Sequence, residues 1–117
     1  MSVELEKCSR IISEVLAYCN YFGGADFEMS LKHGTDGWTR MTVRCTAEDL
    51  PEEALKNLDR SLNVHRQREV EQSYWELSGE SEMASEITLA GIMVDRATVA
   101  YDGSTLDILM LRQNKWD

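Results

Sequence analysis

What this chain has little of narrows its reading first. Its 117 residues include one proline, Pro51, and show no internal repeat and no low-complexity segment. A single domain over residues 1–117 accounts for the whole length, and a chain of that size buries roughly two-thirds of its unfolded surface without needing staples. Cysteine is also scarce. Cys8, Cys19 and Cys45 cannot all pair within one chain and lack a Cys-x-x-Cys spacing, so they read as reduced, buried thiols. The only two histidines, His33 and His65, have no second His, Cys or acid at metal-ligand spacing, and no metal is expected. Basic residues are outnumbered, twelve against twenty-one acidic, for a net charge of -9. Such a surface repels phosphate backbones and anionic lipid, which argues against nucleic acid and membrane as partners. The longest uncharged apolar run, Ile87 to Val94, falls far short of the roughly 20 residues a membrane span needs. No basic flank followed by an apolar run opens the chain, so no secretory signal is visible and a cytoplasmic protein is expected. Gly-x-Ser-x-Gly elbows, Walker-type loops and dinucleotide fingerprints are likewise missing.

What is present is periodicity. Leu5, Cys8, Ile12, Val15, Leu16 and Cys19 recur at steps of three and four, which predicts a helix from Val3 to about Phe22, ended by Gly23-Gly24. Phe27, Met29 and Leu31 alternate with polar residues, as do Met41, Val43 and Cys45, with Gly34-Thr35-Asp36-Gly37 as the turn between two strands. Pro51 opens a second helix over about 51–62, carrying Ala54, Leu55, Leu58 and Leu62. Val70, Tyr74 and Leu77 form a third apolar stripe, with Arg66, Gln67, Arg68, Glu69 and Glu71 expected to face water. Met83, Ile87, Ala90 and Val94 form a fourth, with Ser81 as its expected N-cap. Asp102-Gly103 signals a two-residue hairpin loop that would pair Tyr101 with Ser104, Val99 with Leu106 and Ala97 with Ile108. This order predicts an α+β fold: a two-layer α/β sandwich, its mixed or antiparallel sheet of about four strands carrying helices on one face.

Two segments bear on function. Glu14, Tyr18, Phe22 and Gly23 close the first helix at steps of four, four and one, and Cys45, Ala47, Asp49, Leu50 and Pro51 leave a strand. These offsets resemble the two nucleotide-binding boxes of the histidine-kinase-like ATPase (GHKL) superfamily. The apolar segment Ile87–Asp95 with its following hairpin resembles the end of the anti-sigma-factor serine kinases. In that superfamily the first box supplies Glu, Asn and His, the Asn binding Mg²⁺ and the Glu serving as general base. The second supplies Asp-x-Gly-x-Gly, whose Asp accepts from the adenine amino group. Here the chemistry at the same offsets differs. Tyr18 is a poor ligand for a hard ion that wants compact oxygen donors. Cys45 is a weak donor and acceptor, and Ala47 and Asp49 replace glycines that leave backbone free for a ligand. The third, glycine-rich box has no counterpart in Glu82–Ile87.

The resemblance thus implies a degenerate ATP-binding site. It points to a non-catalytic regulatory module that binds another protein of a bacterial signalling switch, without Mg-ATP or another cofactor and with a homodimer left open. Two alternatives stand beside it. One is an ATP-dependent anti-sigma-type serine kinase with drifted motifs and Glu14 as base. The other is a small-molecule sensor using the vacated nucleotide pocket at Glu14, Tyr18, Phe22, Cys45, Ala47 and Asp49. The bland expectations are that Glu14 faces solvent on its helix and that Tyr18, Tyr21, Phe22, Tyr74 and Trp75 belong to the core.

Overall fold

A computed structural model describes residues 3–69, 71 and 83–114. Helix α1 (Val3–Tyr21) is followed by strands β1 (Ala25–His33) and β2 (Trp38–Thr46), helices α2 (Glu52–Leu62) and α3 (Met83–Gly91), and strands β3 (Arg96–Tyr101) and β4 (Thr105–Gln113). The four strands form an antiparallel sheet in the order β1-β2-β4-β3. The helices cover one face, giving the expected α+β sandwich. The alternation is regular on the central strands: Met41, Val43 and Cys45 on β2 and Leu106, Ile108 and Met110 on β4 are buried, while Arg40, Arg44, Asp107 and Leu109 face out. The third apolar stripe and the Ser81 cap, together with Tyr74 and Trp75, lie outside the described residues.

Helix α1 begins with Glu4 and Glu6 in its first turn, where negative side chains complement the helix dipole. It ends in a Schellman motif: Gly24 N donates to Cys19 O at 2.8 Å, Gly23 N donates to Asn20 O at 3.0 Å, and Gly23 sits at φ +89°. Its buried surface is wider than the predicted stripe. Cys8, Ile12, Val15 and Cys19 are buried as expected, but so are Lys7, Ile11, Glu14 and Tyr18. The helix therefore has two covered faces, which a single amphipathic stripe does not announce.

Helix α2 starts with Pro51 as its N-cap, at φ -62° and ψ 142°, rather than inside its first turn. Helices α2 and α3 approach closely where Gly91 meets Ser61: a Cβ on Gly91 would lie 1.9 Å from the Ser61 carbonyl oxygen.

The last hairpin differs from expectation in register. Tyr101 pairs with Leu106, Val99 with Ile108 and Ala97 with Met110, a slip of two residues. Asp102 explains it. Its carboxylate accepts from the backbone of Ser104 at 2.9 Å and of Thr105 at 2.7 Å, and Asp102 N donates to Thr105 O, so the two-residue loop is Gly103-Ser104. Gly103 takes φ +103°, the conformation only glycine adopts at ease. A slip of two preserves the faces, so the apolar residues stay in the core.

Candidate functional site

The two segments singled out in the sequence come together at the C-terminal end of α1, the end of β2 and the start of α2. Tyr18, 7% exposed, donates its hydroxyl to Ala54 O at 2.9 Å and accepts from Asn57 Nδ2 at 3.0 Å, tying α1 to α2. Phe22 is half-buried, its ring 5.1 Å from that of Tyr18, and exposed Tyr21 meets Phe22 edge-on at 5.0 Å. Cys45 and Ala47 are buried. Gly24 packs so closely that a Cβ there would lie 3.2 Å from Cys45 Sγ. Burial pushes the Cys19 thiol up to about 12, with Cys45 beside it adding to the effect. Both groups stay as neutral thiols, and all three cysteines are free and buried.

The loop from Ala47 to Leu50 is held from the opposite edge of the sheet. The Tyr101 hydroxyl donates to Ala47 O at 2.6 Å and accepts from Leu50 N at 3.2 Å. Ala47 N in turn donates to Ser104 O at 2.9 Å. Within this loop Asp49 is exposed and adopts φ +56°, a left-handed conformation that glycine takes freely and aspartate tolerates.

Glu14 does not face solvent. It is 5% exposed on α1, one turn before Tyr18 and on the same face. The difference follows from the second covered face of α1.

A second polar assembly lies where the sequence pattern points to solvent-facing charges. Arg66 and Glu71, expected to face water, are both buried and join Arg112 and Lys7 in an ion cluster. Arg112 lies on the core-facing row of β4, directly after Leu106, Ile108 and Met110. All five of its N–H donors are used. Nε and Nη2 grip Glu4 at 2.7 and 2.9 Å, Nη1 and Nη2 reach Glu71 at 3.2 and 2.8 Å, and Nη1 also meets Met93 O at 2.7 Å. Glu71 takes further bonds from Lys7 at 2.9 Å and Arg66 at 3.2 Å. Arg66 extends the network to Asp95 at 2.7 Å and Gln113 O at 3.0 Å.

Three cations thus meet three anions, and among the described residues no buried side-chain nitrogen or oxygen lacks a partner. Burial pushes the Glu71 carboxyl up, but hydrogen bonds from Arg112, Arg66 and Lys7 outweigh it and hold the group at about 2. Burial likewise opposes the charge on Arg112, and Glu4 and Glu71 overcome it, raising its affinity for the proton above the ordinary arginine value. The cluster joins α1, the segment after α2, the residue just before β3 and the end of β4. Its signal in the sequence was the parity of Arg112 on an otherwise apolar strand face.

Beside the cluster lies an open groove of about 620 Å³ walled by residues that include His65, Arg66, Arg68 and Asp95. Arg66 and Asp95 bond each other there, and Arg68 bonds Gln113 Oε1 at 2.8 Å. His33 lies elsewhere, with Nδ1 2.8 Å from Thr39 Oγ1. Among the described residues no group of three His, Cys, Asp or Glu side chains could hold a metal ion, and no helix is long and apolar enough to cross a membrane. Comparison of the chain with family models, with curated proteins and with solved structures finds no match.

Proposed function

We propose that this chain is a non-catalytic regulatory module that binds another protein in a cytoplasmic, bacterial signalling switch, built on a degenerate histidine-kinase-like ATPase frame. The observation that carries the reading is the bonding of Tyr18. At the offset where the superfamily places its Mg²⁺-binding Asn, this chain has a ring whose hydroxyl is spent on Ala54 O and Asn57. Using that position for a metal would cost one buried and one part-buried hydrogen bond, and a phenol is a poor ligand for that ion. Cys45, at the offset of the adenine-binding Asp, is buried beside Gly24 as a neutral thiol.

Support for the kinship itself comes from Asp49. It stands at the offset of the second glycine in Asp-x-Gly-x-Gly and has φ +56°, so the backbone has the conformation glycine favours while the residue is no longer glycine. Loss of the ligand groups with retention of the loop shape fits a scaffold freed from nucleotide and kept for contacts. Exposed Tyr21 (73%) offers an aromatic contact at the end of α1, one of the residue types enriched among interface anchors.

Isothermal titration with Mg-ATP tests the proposal: no heat of binding is expected up to about 1 mM nucleotide. Micromolar binding would overturn it in favour of an ATP-dependent kinase with Glu14 as base.

A further inference from the structure

Strand β1 is an edge strand, bonded to β2 alone among the described residues. It is nine residues long, and natural edges of that length are normally blunted. Its start is blunted by a bulge between Ala25 and Glu28, with Asp26 at φ +54°. From Glu28 onward the strand is regular.

The closing hydrogen bond of the β1–β2 hairpin shows which groups point outward. Gly34 N donates to Trp38 O at 2.7 Å while His33 pairs with Thr39, so His33 and Thr39 are a non-hydrogen-bonded pair. Alternation then makes Ser30–Thr42 a hydrogen-bonded pair and turns the N–H and C=O of Met29 and Leu31 to the open edge. The side chains on the helix-layer face of this edge are Phe27 and Leu31, half-buried, and Met29, 48% exposed. Helix cover gives out here, leaving an apolar row next to unpaired backbone. On the other face stand Glu28, Ser30 and Lys32, paired in register with Arg44, Thr42 and Arg40.

We propose that β1 is a self-association edge, pairing antiparallel with β1 of a second copy of this chain about a two-fold axis through Ser30, to join two four-stranded sheets into one of eight. The occupant follows from the strand's own order. A two-fold relating antiparallel strands keeps the same face of both sheets together, so facing residues must share parity. With the axis at Ser30, Glu28 faces the partner's Lys32 twice over, Met29 faces the partner's Leu31 twice over, and the outward backbone groups of Met29 and Leu31 meet their counterparts. Moving the axis to residue 28 or 32 sets Glu28 against Glu28 or Lys32 against Lys32. At residue 29 Lys32 falls opposite the bulged Asp26, and at residue 31 Glu28 runs off the regular strand toward Gly34. Only the Ser30 axis matches both opposite charges and both apolar pairs, which are the units of sheet stabilisation.

Sedimentation of the wild type, of Glu28→Lys, of Lys32→Glu and of the double exchange is the test, with circular dichroism to verify folding. Each single reversal sets like charges opposite at both symmetric positions and is expected to weaken dimerisation about tenfold or more. The double exchange is expected to restore it to within about threefold, because the pairs reform with signs swapped. A wild type that stays monomeric up to about 1 mM overturns the proposal, as does a dimer indifferent to both single reversals.

A cysteine cross-link gives a second readout. Ser30→Cys would face its own copy at a non-hydrogen-bonded position, with Cα atoms about 4.5 Å apart, within disulfide span. Added diamide should oxidise the two thiols to a covalent dimer far faster than in Thr98→Cys on the opposite edge strand. Equal rates for the two variants would overturn the proposed axis.

Discussion

Replacing Glu71 with glutamine should be among the most damaging single changes available to this fold, although the two side chains have nearly the same shape. Glu71 is fully buried and receives Lys7, Arg66 and Arg112. Removing its charge leaves those three cations facing only Glu4 and Asp95. Two routes give the cost. Holding the carboxyl at about 2 instead of its ordinary 4.5 corresponds to about 3 kcal/mol of differential stabilisation. Removing one partner of a buried ion pair typically costs about 3–5 kcal/mol. Against a total of roughly 5–15 kcal/mol for a domain, the expected loss is severe, and melting should fall by roughly 10–20 °C.

The pH dependence carries its own sign. The Glu71 carboxyl has a lowered pKa in the folded state, so its contribution is complete above the ordinary value of 4.5 and is lost as pH falls through about 2. The stability gap between wild type and Glu71→Gln should therefore be constant near neutrality and narrow below about pH 4.5, because protonation takes from the wild type what the substitution already removed. Urea unfolding followed by circular dichroism at several pH values measures it. A further arm distinguishes charge from shape: Glu71→Met with Arg112→Met removes one anion and one cation, leaving the remaining charges of the cluster balanced, and should cost less than the two single changes added together. A loss below about 1 kcal/mol for Glu71→Gln at neutral pH would refute the burial and bonding on which this rests.

Other expectations are simpler. Tyr18→Phe removes the donor to Ala54 O and the acceptor for Asn57, and chemical denaturation should show a loss of about 1–3 kcal/mol. Gly91→Ala places a Cβ 1.9 Å from Ser61 O; since backbone and not a flexible side-chain tip must yield, a loss of about 3 kcal/mol or more is expected in the same assay. Native protein should resist thiol labelling by a disulfide reagent while the unfolded chain reacts at all three cysteines, because Cys8, Cys19 and Cys45 are buried and burial pushes Cys8 and Cys19 up to about 12.

Period and punctuation carried most of the architecture. The alternation of Met41, Val43 and Cys45 and the spacing of Ala54, Leu58 and Leu62 each record one apolar face meeting one core, and Gly23-Gly24 and Gly34–Gly37 mark where the chain must turn. The departures at charged residues share a cause. Periodicity ranks residues by hydrophobicity, so a charged side chain is assigned to solvent unless its partners are known, and partners distant in sequence are invisible to a local window. Arg66 and Glu71 read as solvent-facing because their partner Arg112 lies forty-one residues beyond Glu71. Glu14 differs for a related reason: α1 is covered on two faces, its exposed side runs along Ser9, Ser13 and Asn20, and Glu14 lies on a covered one. The hairpin slip is of another kind: Asp102-Gly103 is a good loop signal, and only the carboxylate of Asp102, capping the amides of Ser104 and Thr105, moves the loop on by one residue.

Charge placement links these errors to the proposed role. The buried cluster uses three cations and three anions, so it is neutral and leaves the whole surplus of nine negative charges to the rest of the chain. Apart from buried Glu14, that surplus lies outside the buried charges, and a partner that docks by charge should therefore be basic. The edge of β1 runs against this trend, with Glu28 and Lys32 of opposite sign two residues either side of Ser30. One surface would thus select a foreign, basic protein, while the other is neutral and self-complementary. The two contacts should respond differently to salt. Raising ionic strength should weaken capture of a basic partner steeply, since it screens a field summed over many charges. Strand pairing at β1, held by backbone hydrogen bonds and apolar side chains with only the two Glu28–Lys32 pairs open to screening, should change less. A self-association as salt-sensitive as partner binding would show that general electrostatics, and not the strand edge, brings two copies together.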